Sequence, residues 1–122
     1  MNWNKKRILV VDDDVDILRV FKSILEKEGY KVETVETGKD ALKEISKAKF
    51  NLCIVDVKLP DMDGTELLKI LNDLKTIKII VTCFSTNEVG KKAADYGADD
   101  FLVKPVKSEE LVATVREKLS TI

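Results

Sequence analysis

Residues 8–16 read ILVVDDDVD, four apolar positions followed by four acids among the next five. A short Val/Ile-rich run of this kind fits a strand buried on both faces. It delivers three consecutive carboxylates, Asp12, Asp13 and Asp14, to one point of the chain. Two like charges ~4 Å apart cost on the order of 4 kcal/mol at an effective dielectric near 20. Either a bound cation offsets that repulsion, or a helix begins just after the strand, with Asp14 as its cap and Asp16 in its first turn. The stretch alone leaves both open.

Four more short apolar runs follow, at 31–35, 51–55, 78–82 and 101–103, separated by segments of helical period. The spacing predicts a first helix with Ile17, Val20, Phe21, Ile24 and Leu25 on one face and Gly29 as its stop. Ala41, Leu42 and Ile45 mark a second, with Gly38 near its start, and Leu67, Leu68, Ile70 and Leu71 a third, beginning after Asp63 and Gly64. A fourth is expected over 87–96, on a stripe of Val89, Ala93, Ala94 and Tyr96, with Gly90 inside it and Gly97 at its end. The fifth starts at Ser108, carries Glu109 and Glu110 in its first turn and turns Leu111, Val112, Val115 and Leu119 inward. Strand and helix alternate five times, which predicts an α/β fold whose parallel sheet is covered on both sides.

The totals bound the function. At 122 residues the chain has room for one core and one domain. With 44% hydrophobic and 35% charged residues it has a globular balance, and no apolar run is long enough to span a membrane. A formal net charge of −1 gives no basic surplus for nucleic acid. The opening MNWNKKR lacks the apolar core of a signal peptide, so a cytoplasmic location is expected. Cys53 and Cys83 are far apart, each within an apolar run, and read as small buried hydrophobes. The chain has no histidine, which excludes a Ser-His-Asp triad, a His-ligated metal and a phosphohistidine carrier.

Ligands of doubly wound sheets sit outside the carboxyl ends of the strands. Here the first strand ends in Asp12 and Asp13, the third in Asp56, the fourth in Thr82 and the fifth in Lys104 followed by Pro105. The second ends in Glu36 and Thr37, which carry no evident message. Carboxylates suit a hard cation such as Mg²⁺, an ammonium supplies a point charge for a phosphate, and a hydroxyl can donate to the same anion. Taken singly, each residue has an ordinary reading as a cap, a turn, a strand former or a strand exit. Their arrival at corresponding positions of successive strands favours a common site.

Four segments, VVDDD at 10–14, VDVKLPDMDG at 55–64, IIVT at 79–82 and GADDFLVKP at 97–105, make the chain resemble the receiver domains of two-component response regulators over residues 6–119. The resemblance implies a flavodoxin-like, doubly wound five-stranded parallel sheet of order 2-1-3-4-5 with five helices. It implies that residues 1–122 form a single receiver domain with no output domain in this chain, either a stand-alone regulator or a piece of a longer protein. Asp56 would be the phosphoacceptor. Asp13, Asp56 and the backbone carbonyl of Lys58 would hold Mg²⁺ (or Mn²⁺), with Asp12 holding a metal-bound water. Lys104 would pair with the phosphoryl oxygens, Thr82 would close on them, Phe101 is the switch aromatic, and Pro105 stands where a cis proline is usual. The implied partners are a histidine kinase or phosphotransfer protein, and a downstream protein or a second copy meeting the face of the fourth helix, fifth strand and fifth helix. No nucleic acid and no membrane are expected. The implied role is a signalling phosphoacceptor that promotes its own phosphorylation and dephosphorylation, not an enzyme on an external substrate.

Some positions depart from the pattern or stay open. Cys83 stands where a small residue usually follows the switch hydroxyl, and its thiol is expected to narrow the path to Asp56. Asp99, Asp100 and Arg116 resemble the charged pairs through which some regulators dimerise, although a solvated surface with a turn at Asp99 and Asp100 is favoured. ILVVDDDV also fits the hhhhDxD opening of the pattern of haloacid dehalogenase-like phosphohydrolases, with Asp12 as nucleophile and Asp14 as acid/base, which leaves Asp56 unexplained. A flavodoxin-like FMN carrier would need a phosphate-cradling loop where this chain has acids. The resemblance links Lys58 and Phe84 to the lifetime of the acyl phosphate, and Phe84 is expected to hinder the attacking water. Phe84→Glu should therefore hasten decay of the phosphorylated protein, followed by intact mass over time; an unchanged rate overturns the expectation.

Overall fold

The computed structural model describes residues 5–72, 75–83 and 87–120. Among them are five strands, β1 (Arg7–Val11), β2 (Lys31–Val35), β3 (Leu52–Asp56), β4 (Ile77–Thr82) and β5 (Asp100–Val103). They alternate with helices α1 (Val15–Lys27), α2 (Gly38–Lys47), α3 (Gly64–Ile70), α4 (Asn87–Asp95) and α5 (Ser108–Ser120). The strands form one parallel sheet of order β2-β1-β3-β4-β5, the flavodoxin-like arrangement.

Register places the functional edge. Val11 lies opposite Val35 and Val55, Val55 opposite Ile80, and Thr82 opposite Val103. The carboxyl ends are therefore nearly level, and the next residue of β1, the last of β3 and β4, and the exit of β5 meet along one rim.

Strand side chains alternate between two cores. Ile8, Val10, Ile54, Ile79 and Val81 pack with Leu18, Phe21 and Leu25 of α1 and Leu111, Val115 and Leu119 of α5. Leu9, Val11, Cys53, Val55 and Ile80 pack with Ala41 of α2 and Leu67 and Leu68 of α3, and Tyr96 joins that side. The double burial explains why the strands read as apolar on both faces. Burial also pushes the Cys53 thiol up to about 12, so it stays protonated at neutral pH.

Several sequence expectations need correction. Val20 is 47% exposed and Ile70 55% exposed, because the buried arcs of α1 and α3 are set by Leu18, Phe21 and Leu25 and by Leu67, Leu68 and Leu71. Cys83 is exposed, because it follows the last residue of β4 and leaves the cover of the helices. The third strand starts one residue late, since Asn51 turns its side-chain oxygen to the Arg7 N–H at 2.8 Å. The fourth helix ends at Asp95, before Gly97 takes a φ of 93° that favours glycine. The side chains of Val89 and Ala93 lie outside the described residues. Among the described residues, no helix is long and apolar enough to cross a membrane.

The capping half of the question posed by DDDVD is answered by α1. Asp14 is its N-cap, and one carboxylate oxygen accepts from the N–H groups of Asp16 at 3.0 Å and Ile17 at 3.3 Å. Replacing Asp14 also removes a charge from a crowded acidic end, so the cap is isolated by comparing two neutral variants. Asp14→Ala should be less stable than Asp14→Ser by about 1 kcal/mol, a difference of roughly 3–6 °C in melting temperature by circular dichroism.

Candidate functional site

The chain leaves β1 with Asp12 still in the ladder, its N–H donating to the Val35 carbonyl at 3.1 Å. That pairing holds Asp12 at 3% exposure, while Asp13 stands exposed beside it. One Asp12 oxygen turns back to accept from the Asp14 N–H at 2.9 Å. Asp56, the last residue of β3, is also buried. Carboxylate oxygens of Asp12, Asp13 and Asp56 lie within 4.8 Å of one another, and no other group of three or more such acids gathers among the described residues.

Lys104 reaches across from the exit of β5. Its ammonium sits 2.9 Å from Asp12 Oδ2 and 3.4 Å from Asp56 Oδ2. The Lys104 N–H donates to the Thr82 carbonyl at 2.7 Å, and the Lys104–Pro105 peptide bond is cis. Thr82 is buried at the same rim, whereas Phe101, earlier on β5, is 41% exposed. The strand edge thus collects Asp12, Asp13, Asp56, Thr82 and Lys104, as the pattern of strand exits predicts.

Electrostatics follow from this packing. Burial raises the Asp56 carboxyl above its ordinary range and the Asp12 charge raises it further, with Lys104 opposing both. Burial acts to lower the Lys104 ammonium, but the hydrogen bond and charge of Asp12, joined by Asp56, leave it raised. Three carboxylates face one ammonium, which leaves two negative charges in excess when all are ionised. That excess and the oxygen-only donor set fit a hard divalent cation such as Mg²⁺.

The loop after β3 is held by a glycine that sequence reading took only as the start of a helix. The Gly64 N–H donates to the Val57 carbonyl at 2.6 Å, and a Cβ added there would lie 1.9 Å from the Asp56 carbonyl oxygen. Backbone, not a side chain, occupies that space, so this approach demands glycine. Asp63 caps α3, accepting from the Thr65 N–H at 2.8 Å and its hydroxyl at 2.6 Å, while Lys58 pairs with Asp63 across the loop. The Lys58 N–H comes within 3.4 Å of Asp56 Oδ1. The Gly64 contact with Asp56 is made through space and leaves no mark in periodicity.

The model of the response regulator receiver domain family matches residues 8–116. The chain belongs to that family. It is 34% identical over 114 residues to the response regulator ArlR of Staphylococcus saprophyticus, covering 93% of this receiver and 52% of ArlR. It is 32% identical over 120 residues to the DNA-binding response regulator MtrA of Mycobacterium tuberculosis, covering 98% and 53%. The receiver thus spans about half the length of these relatives. Among solved structures, a CheY-like receiver domain protein of Methanospirillum hungatei superimposes with a TM-score of 0.93 at 43% identity, covering 97% of this chain and 96% of that one.

Other surface expectations resolve differently. Arg116 pairs with Glu28 at the end of α1, which directs it away from Asp99 and Asp100. Asp99 accepts from the Lys78 N–H at 2.8 Å, and Asp100 lies 3.8 Å from Lys118. The expected turn at Asp99 and Asp100 is thus corrected: Asp100 opens β5 opposite Ile79, and only Asp99 precedes the strand. Asp14, the acid/base of the phosphohydrolase alternative, has its carboxylate on the α1 amides. Phe84 lies outside the described residues.

The raised Asp56 carboxyl has a pH signature. The folded receiver holds the Asp56 proton more tightly than the unfolded chain, so its ionisation costs stability above the folded pKa, and the cost disappears as pH falls towards the ordinary value of 3.8. In EDTA, Asp56→Asn should raise the urea midpoint at pH 7 relative to the parent, and the gain should vanish as pH falls through the raised folded pKa towards 3.8.

Proposed function

We propose that this receiver accepts a phosphoryl group on Asp56 from a phosphohistidine of a histidine kinase or phosphotransfer protein, and signals through the face formed by α4, β5 and α5. The observation that carries the reading is the Lys104 ammonium lodged between Asp12 and Asp56 in a pocket of three carboxylates. Phosphoryl transfer asks chiefly for alignment and neutralisation of charge. This pocket offers a buried nucleophile, an ammonium beside it and excess negative charge for a metal. Asp13, Asp56 and the Lys58 carbonyl would hold Mg²⁺, with Asp12 ordering a water beside it. Bound there, the metal would draw charge from the phosphoryl oxygens.

The chain's own residues supply the rest. An Asp56 oxygen attacks phosphorus in line with the leaving imidazole; the P–N bond breaks, and its electron pair leaves with the imidazole, which is protonated as it departs. The product is an acyl phosphate on Asp56. Lys104 exchanges carboxylate oxygens for phosphoryl oxygens, using donors it already directs into the pocket. The Thr82 hydroxyl then closes on the phosphoryl group, and the space it leaves admits Phe101, whose ring is partly exposed on β5. That change of exposure would be the message passed to a downstream protein or a second copy.

Incubation with Mg²⁺ and acetyl phosphate, read by intact mass, tests the assignment. The expected result is one base-labile phosphoryl group on the parent, none without Mg²⁺ and none on Asp56→Asn, with a severe loss on Asp12→Asn. An unmodified parent, or an adduct that persists in Asp56→Asn, overturns it.

A further inference from the structure

The loop between β3 and α3 is anchored at a second place, remote from Gly64. The Asp61 carboxylate accepts from the backbone N–H of Gly38 and of Lys39, each at 2.9 Å, through its two separate oxygens. These amides open α2, and no helical turn supplies them with partners. Thr37 already caps the helix, its hydroxyl oxygen accepting from the Asp40 N–H at 3.0 Å. Asp61 therefore adds to an existing cap from more than twenty residues away. Met62 seats on the same spot: a Cβ at Gly38 would lie 2.4 Å from its sulfur. Two consecutive loop residues thus rest on one helix end, and the two amides hold the Asp61 carboxyl below its ordinary range.

We propose that Asp61 is a positioning residue for divalent-cation binding, docking the loop on α2 so that the Lys58 backbone stays beside Asp56. The inference rests on the cation site proposed above. Lys58 lies between the Gly64 contact with the Asp56 backbone and the Asp61 contact with α2. The Leu59 N–H to Met62 carbonyl bond, 3.2 Å, and the pairing of Lys58 with Asp63 tie both anchors into one tight turn. When Asp61 lets go, the turn keeps its internal bonds but loses its seat, and the Lys58 carbonyl is no longer held in register with the carboxylates. The fold is affected less, because Thr37 still caps α2.

Isothermal titration calorimetry with Mg²⁺ on the parent, Asp61→Ala, Asp61→Asn and Thr37→Ala tests this, with melting temperatures taken in EDTA. Both Asp61 variants are neutral, so a difference between them reports hydrogen bonding and not lost charge. Asp61→Ala should bind Mg²⁺ about threefold to tenfold more weakly than Asp61→Asn, which keeps one acceptor oxygen, at the lower end of what groups behind the ligands contribute. Thr37→Ala should melt lower in EDTA yet bind Mg²⁺ within about twofold of the parent, the mark of a cap with no positioning role. Equal affinities for Asp61→Ala and Asp61→Asn, or the same weakening in Thr37→Ala, overturn the proposal while leaving the phosphoacceptor reading intact. A parent that binds no Mg²⁺ overturns the cation site itself, and the role of Asp61 with it.

Discussion

Mutual repulsion among Asp12, Asp13 and Asp56, answered from within the chain by Lys104, is the constraint around which the receiver is arranged. Each acid is held by a different local cause. Asp12 is pinned by strand pairing, Asp56 is carried by a strand buried on both faces, and Asp13 is left to solvent between them. Such a cluster destabilises a domain unless something positive enters it. A single ammonium satisfies it in part, and the negative charge left over suits the pocket to a hard divalent cation.

The two cores make that arrangement affordable. Residues such as Ile8, Leu9, Leu52, Ile54, Ile79 and Ile80 are fully buried, so the sheet is held by apolar packing well away from the charged rim. The level register of β1, β3, β4 and β5 then brings together groups that stand far apart in the chain. The caps at Asp14 and Asp63 use neighbouring carboxylates for ordinary structural work, so only some of the acids near the rim are free for chemistry.

How much of this the sequence discloses depends on the range of the interaction. Alternation of apolar runs and helical periods is a local signal, and it locates all five strands to within about one residue, the fourth helix and the start of the fifth as closely, and Asp14 as a candidate cap. The strand-end rule is nearly as local, and it finds Asp12, Asp13, Asp56, Thr82 and Lys104. Periodicity does not say where a helix stops being buried, which is why Val20 and Ile70 are misplaced. Pairing of Arg116 with Glu28, the seat of Asp61 on α2 and the wedge of Gly64 against Asp56 all join distant segments through side-chain reach or backbone approach. No single-chain pattern records such contacts.

The Gly64 wedge also gives the site two unlike sides. Behind Asp56 the backbone is in contact with backbone, and on either side its strand is locked between β1 and β4. The opposite side of the pocket is built differently. There Lys104 reaches in on a long side chain from the exit of β5, and its N–H, donating to the Thr82 carbonyl at 2.7 Å, ties that exit to the end of β4. Close backbone contact at one glycine thus walls the loop side of the site with main chain, while side chains from the ends of β4 and β5, the strand that carries Phe101, line the other.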